Sequence, residues 1–489
     1  MQLNLIADPW IPVRCKDGSR RIIVPWQMAD ADLAFPDWPR ADLNIACLEL
    51  LIGMVFLADP PEGAEEWELR QRSDPERLRE NLAAFAPAFN LFGDGPRFLQ
   101  DIEPLQGEPN SPDMLFIDSA GGNTARNNAD VMVHRGRYPA LSPALAAMAL
   151  YAFQAFAPSG GAGNRTSMRG GGPMVTLVHP ERGLWPLIWA NVPNGKPTEP
   201  NVLPWMSRTR TSDAGEQLFP EHSHPAEAFF GMPRRLRLVA QDERVTGVIQ
   251  RPYGTNYAGW EHPLSPYYRL KPGAEWLPKH PSAGQFGYRN WLGVVAAGAE
   301  GEAESVRRRS LMLRHWRNRG QGPASVIVAG WVMDNMKPRD FILSVQPLVT
   351  LDGAARDTLT GMIEAADLFS QALRAALSPL MADGEAREAV REEFYAQTQA
   401  SFEDRVSTLT QDNRLDVARG WLADMAGVVM TLFDVRALPG LTDRNFKLQK
   451  SIVEAYVRLR GNLAGHGPLG RKAFAALEIE PAEPKGKAA

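Results

Sequence analysis

The chain has 489 residues, more than one ordinary hydrophobic core organises, so about two to four packing units are expected. Hydrophobic residues make up 44% and charged residues 22%, an ordinary globular composition, and the net charge of -4 excludes a globally basic nucleic-acid binder. Cys15 and Cys47 are the only cysteines and neither sits in a CxxC, which argues against a disulfide framework or a cysteine zinc site.

The N-terminal runs LNLIADPWIPV and SRRIIVPW flank KDGS, a turn signal, and predict a β-hairpin. MQLNLIADPW lacks the basic and apolar regions of a signal peptide, and ACLELLIGMVFLA is short of a membrane span and carries Glu49. A soluble cytoplasmic protein without membrane association is therefore expected. ADLNIACLELLIGMVFLA has helical spacing with Asp42 near its start. SDPERLRENLAAFAPAF predicts a second helix, with Ser73 or Asp74 as cap and Pro75 in the first turn. FGDGPRFLQD reads as a turn, and SPALAAMALYAFQAF as a helix leading into a glycine-rich stretch, SGGAGNRTSMRGGGP.

Beyond it, MVTLV, RLRLVA and SVIVAGWV look like strands separated by proline-rich connections, with no clean βαβ alternation. After residue 351 proline becomes rare and helical periodicity dominates. RDTLTGMIEAADLFSQALRAALSPLM, EAREAVREEFYAQTQASFEDRV, DVARGWLADMAGVVMTLFDVRAL and DRNFKLQKSIVEAYVRLRGNLAG each have the length of a bundle helix. The expected fold is α+β: a large mixed, irregular domain over 1–351, a four-helix bundle over 352–475, and a disordered tail over 476–489.

Catalytic signatures are lacking. The glycine stretch places no lysine and hydroxyl residue after its second glycine, so it fails the Walker A spacing, and it is not a G-x-G-x-x-G between strand and helix. His222 and His224 could ligate a metal, but no second pair at ligand spacing supports them. Neither G-x-S-x-G nor H-E-x-x-H occurs. No cofactor and no metal are expected.

Local charge is more informative. SVRRRSLMLRHWRNRGQG gathers Arg307, Arg308, Arg309, Arg314, Arg317 and Arg319 without an acid. Arg444, Lys447 and Lys450 can share a helix face. Either set reads as a solvated helix surface or as phosphate contacts. Within the glycine stretch, glycine lets backbone N–H groups approach a ligand, and Arg165 and Arg169 add positive charge. Such a loop suits a phosphate backbone or a narrow groove. An enzyme holding a phosphate ligand on the same loop, or a purely structural assembly subunit, are the competing readings.

Six segments in order, LIADPWIPV, FGDGPRFLQD, APSGGAGNRTSMRGGGPMVTLV, FGMPRRLRL, QRPYGTNYAGWEHPLSPYY and GWVMDNMKPRD, resemble the CasA family, the large subunit of the type I-E CRISPR Cascade surveillance complex. The resemblance implies a non-catalytic subunit. It would recognise the protospacer-adjacent motif in double-stranded target DNA, start strand separation and help recruit a helicase–nuclease. It also implies guide RNA and other Cascade subunits as partners. The family's DNA-binding glycine loop corresponds to Ser159, Gly160, Gly161, Ala162 and Gly163, its basic finger to Arg251, and its wedge to Asn335, Met336 and Lys337. A loop near the motif and the guide-RNA handle corresponds to Asn123, Thr124, Ala125, Arg126, Asn127 and Asn128.

Three departures matter. The finger can be lysine in the family, and Arg251 changes its geometry while keeping the charge. The wedge can carry a side-chain amide, where Met336 is apolar and adaptable. Some members hold a cysteine zinc site, whereas RYPALSP and AQDERVTG occupy the corresponding regions here without cysteine. MDNMK after a strand and before Pro338 predicts a tight turn projecting from a sheet edge.

Overall fold

The computed structural model describes residues 2–119, 127, 133–134, 136–161, 163–297, 303–318, 324–351, 353–381 and 384–483. It is a mixed helix-and-sheet protein whose C-terminal part is helical. The chain packs as two units, Met1–Ala283 with Arg309–Leu348, and Gly284–Arg308 with Val349–Ala489.

In the first unit, β1 (Ile11–Cys15) pairs antiparallel with β2 (Arg20–Ile23) and with β3 (Leu33–Pro36). The hairpin is shorter than the sequence pattern suggests. Asn4 instead turns the chain, its Oδ1 accepting from the backbone of Ile6 and Ala7 at 3.0 Å each, and leaves residues 3–10 outside the sheet. α1 (Ala41–Ala58) is apolar on every side and buried nearly throughout. By length and composition it could cross a membrane, but 89% of it is buried inside the protein, as a core helix is. Burial pushes the Cys47 thiol up to about 12, so it stays a packed apolar group.

α2 (Pro75–Ala83) begins at Asp74, whose side chain accepts from the Arg77 N–H at 3.1 Å; Asp74, not Ser73, is the cap. A short 3-10 turn at Ala86–Ala88 replaces the expected continuation of this helix. α3 (Pro143–Phe156) starts in the same way on Ser142, with Pro143 at its first position. β4 (Val175–His179) follows the glycine-rich stretch, and β5 (Arg235–Gln241) and β6 (Arg244–Arg251) form an antiparallel pair. The longest hairpin joins β7 (Ser325–Asp334) and β8 (Lys337–Pro347). β7 is central, because β4 pairs along its other edge. An aromatic cluster of Phe89, Phe98, Trp205 and Phe230 fills the core nearby.

The second unit contains α4 (Gly353–Ala376), α5 (Gly384–Ser407), α6 (Arg414–Ala437), α7 (Phe446–Leu463) and α8 (Pro468–Ala476). The four long helices are joined by the short α8, which lies so close to α4 that a Cβ on Gly361 would stand 2.0 Å from the Ala476 carbonyl oxygen. The first residues of the expected tail are held in place: Leu477 is buried, and Glu478 pairs with Arg414 at 2.8 Å. The segment Gly284–Arg308, contiguous in sequence with the first region, packs with the helices because it supplies aromatic core. Tyr288 stacks on Phe402 with ring centroids 4.2 Å apart, and its hydroxyl meets Thr398 Oγ1 at 2.8 Å.

Candidate nucleic-acid interface

The glycine-rich stretch is a loop closed at its base. Ser167 N–H donates to Ala157 O at 2.9 Å and Gly172 N–H to Phe156 O at 3.0 Å, so the chain leaves α3 and returns to its end. Within it, Asn164 N–H donates to Gly161 O at 2.8 Å, a tight turn in which Gly161 (φ +66°) and Gly163 (φ +79°) take the left-handed conformation.

The glycines of the first half are not equivalent. A Cβ on Gly163 would lie 2.6 Å from the ring of Tyr253, and one on Gly160 would lie 2.9 Å from both Arg234 Nη1 and Asn164 Cβ. Only at Gly161, among the described residues of this half, does the missing side chain leave open space on an exposed surface. Ser159 is exposed as well, and Ala162 lies outside the described residues.

Tyr253 ties the loop to the end of β6. Its N–H donates to Gly163 O at 2.9 Å, its φ is +61°, and it is 39% exposed. A left-handed conformation in a bulky residue is strained and persists only where its surroundings hold it. Two residues before it, Arg251 is exposed at the strand end. Arg251 and Tyr253 line an open groove of about 430 Å3 with Arg208, Thr211, Asp213 and Arg235. The two further arginines are engaged, Arg235 with Asp101 at 3.1 Å and Arg208 with Glu103 at 3.6 Å. Sequence motifs gave no role to Tyr253, although it lies inside a segment that carries the family resemblance.

The second half of the stretch meets the β7–β8 hairpin. Asn335 (φ +48°) and Met336 (φ +63°) form its two-residue tip, flanked by the paired Asp334 and Lys337. Two left-handed residues make the hairpin turn that suits strand twist. Met336 is 47% exposed, and its Sδ lies 3.2 Å from where a Cβ on Gly171 would stand. That same Cβ would lie 2.6 Å from Pro158 Cα, at the root of the first half. The glycine-rich stretch therefore adjoins the end of β6 through its first half and the hairpin tip through its second, all within the first unit. Asn335 Nδ2 donates to Asp334 Oδ1 at 3.0 Å, and Lys337 is exposed.

The arginines of the stretch part company. Arg165 is half-buried at the loop edge, donating from Nε to Ser212 Oγ and from Nη2 to Ser212 O, both at 2.9 Å. Arg169 is not available to a phosphate. It is buried in a two-pronged ion pair with Glu49 of α1 (3.0 and 2.7 Å) and donates to Ser265 Oγ at 3.1 Å. A carboxylate at the centre of an apolar helix requires such a partner.

Elsewhere the basic groups separate too. Arg444 precedes α7 instead of lying on it, and its Nη2 donates to the Pro439 carbonyl at 3.2 Å beyond the end of α6. Lys447 and Lys450 are exposed on α7, so the expected three-residue face reduces to two. The arginine-rich run is divided between the units: Arg307 and Arg308 belong to the second, and Arg309, buried, to the first. Arg319 lies outside the described residues. So do Asn123, Thr124, Ala125, Arg126 and Asn128, while Asn127 is an exposed turn residue. His224 Nδ1 accepts from the Ala226 N–H at 3.1 Å and so shapes a turn, and no group of three metal-ligating side chains occurs among the described residues.

Residues 4–432 match the family model described as CRISPR-associated protein Cse1. The fold is similar to the structure of Thermus thermophilus CasA (Cse1), with a TM-score of 0.74 at 18% identity over 95% of this chain and 99% of that one. It is also similar to CRISPR-associated protein Cse1 from Acidimicrobium ferrooxidans, with a TM-score of 0.70 at 19% identity over 98% of this chain and 99% of that one. A chain of a CRISPR RNA-guided surveillance complex matches with a TM-score of 0.68 at 15% identity, over 94% of this chain and 99% of that one.

Proposed function

This chain belongs to the CRISPR-associated Cse1 family, the large subunits of type I-E Cascade, and on that premise we propose that it is the subunit of an RNA-guided surveillance complex that opens double-stranded target DNA at its protospacer-adjacent motif. The observation that carries the reading is that one glycine-rich stretch holds a side-chain-free turn at Gly161 and, at Gly171, packs on Pro158 and on the exposed apolar hairpin tip at Met336.

Each part has a physical task. At Gly161 the backbone can approach the floor of a minor groove, where only A·T against G·C is legible, so several motifs are tolerated. Arg251 supplies an exposed cation at the end of β6, two residues before Tyr253, which touches the loop at Gly163. Met336 replaces part of the stacking lost when the first base pair opens, and Lys337 meets a phosphate. The cost of unstacking is about a few kcal/mol per step, which binding at the motif offsets. Pairing between guide RNA and target strand then supplies sequence specificity. The role requires no bond to be made or broken by this chain. Cleavage falls to a helicase–nuclease recruited to the complex, and the other Cascade subunits hold the guide.

The test replaces Asn335, Met336 and Lys337 together by glycine or alanine in the assembled complex. Strand separation is measured on a fully paired target and on one with a pre-melted bubble beside the motif. The expected result is impaired opening of the paired target and near-parental opening of the bubble, where the unstacking cost is already met. A defect of equal size on both targets would remove the wedge mechanism.

A further inference from the structure

Two buried arginines, Arg169 within the glycine-rich stretch and Arg234 packed against it, are each 3% exposed, and they differ in what balances their charge. Arg169, beneath the second half, is matched by Glu49. Arg234, beneath the first half, has no carboxylate partner among the described residues. Its Nη2 donates to the Pro158 carbonyl, its guanidinium packs over the Phe153 ring at 5.2 Å, and its Nε is buried without a hydrogen-bond partner. Burial alone pulls its pKa down, to about 10, so it is still charged at neutral pH.

A buried, unmatched cation is costly, and an apolar side chain of similar length would fill the site at lower cost. Its placement suggests why it is there. The backbone of Arg234 is fixed on both sides by Gln154, which accepts from its N–H at 3.0 Å and donates to its carbonyl at 2.9 Å. From this anchor Nη1 reaches to 2.9 Å from the position of a Cβ on Gly160, an exposed residue. A single layer of backbone thus separates the charge from the outer surface of the loop.

We infer that Arg234 is a positioning residue for DNA binding, holding the glycine loop by Pro158 and presenting through its backbone a positive charge that a DNA phosphate on the outer face neutralises. The inference rests on the reading of the loop as a DNA contact and deepens it. A low-dielectric surround and a distance of a few ångströms let such a charge act through the loop more strongly than an exposed one would.

Arg234→Gln and Arg234→Lys separate the charge from the hydrogen bond, since both retain a donor for Pro158 and only lysine retains the charge. Duplex affinity of the assembled complex is measured from low to high salt, with thermal unfolding alongside. Arg234→Gln is expected to unfold no earlier than the parent and to bind duplex about tenfold more weakly at low salt, a deficit that narrows as salt rises. Arg234→Lys should bind within about threefold of the parent. If Arg234→Gln does not assemble, Arg234→Met, which fills the volume without a polar group, takes its place. Parental affinity, or a deficit equal at every salt concentration, overturns the inference. Gly161→Asp is the control: if it too binds normally, the loop itself is not a DNA contact. If it loses binding while Arg234→Gln does not, only the role of Arg234 falls.

Discussion

Gly161, in the first half of the glycine-rich stretch, and the three glycines of the second half are there for opposite reasons, while Gly160 and Gly163 are packed like the latter. In residues 159–163, Gly161 faces open space, and a side chain there would meet nothing of the protein. In residues 170–172, every glycine is pressed against a neighbour: Gly170 against His280, Gly171 against Pro158, and Gly172 against the Trp331 carbonyl oxygen, with Cβ positions 2.8, 2.6 and 2.7 Å from them. Gly161 keeps a surface clear; the second half lets the β7–β8 hairpin lie against the end of α3. A glycine cluster thus carries no single meaning. The packed half ties the loop that carries Gly161 to the end of α3 through Pro158.

The largest expected effect tests the packed half. Gly172→Ala combines a left-handed φ of +64° with a Cβ 2.7 Å from a backbone oxygen that cannot move aside. It should destabilise the first unit by about 3 kcal/mol, whereas Gly161→Ala, with space but the wrong conformation, should cost about 1 kcal/mol. Chemical denaturation of both variants measures the difference, and equal losses would break the comparison.

Gly161→Asp sharpens it from the other side. A carboxylate on the open face repels phosphate, so duplex affinity of the complex should fall at least thirtyfold, about 2 kcal/mol, with unfolding close to that of Gly161→Ala. Gly160→Asp is a less clean probe, because its side chain would push on Arg234 and Asn164. Parental affinity of Gly161→Asp would show that the open face is not a binding face.

The smallest effect concerns the network beneath the packed half. His262 is buried, with Arg169 Nη1 3.5 Å from its Nδ1, and burial first, then that arginine, hold its pKa well below the usual histidine value. His280, beside Gly170, is lowered in the same direction, again chiefly by burial. The unfolded chain therefore takes up protons that the folded chain refuses. Stability is full above about pH 6.5 and falls as the pH drops below it, by at most about 1.4 kcal/mol per pH unit for each histidine. Denaturation at pH 7.5 and 5.5 reads the slope, and His262→Gln should make it shallower; an unchanged slope would assign the acid sensitivity to other groups.

Much of the local structure was legible in the sequence. The cap expected at Ser73 or Asp74, Pro75 after it, the apolar run SPALAAMALYAFQAF and the helical spacing after residue 352 mark helices that the structure contains. MDNMK could be read as a tight turn because a strand-like run precedes it and Pro338 follows, and the two left-handed residues at its tip agree. The candidate site was legible only as a set of segments. That Gly161 is open while Gly163 is covered depends on Tyr253, 90 residues further on.

Neighbouring residues were enough to mark the long helices, the main strands and the segments that carry the family resemblance, because turns, caps and periodicity are local. Tertiary structure alone decided which charge does what. Arg169 and Arg234 are both arginines beside glycine-rich or strand-forming residues, yet one is paired with Glu49, 120 positions away, and the other has no carboxylate partner among the described residues. Arg444 became a partner of the turn after α6, Gly284–Arg308 joined the helical unit through Tyr288, and Leu477 was buried in what looked like a tail. Burial and pairing are properties of three-dimensional neighbours, and for a charged side chain they reverse its meaning: the same guanidinium is a ligand at the surface and a structural strut in the core.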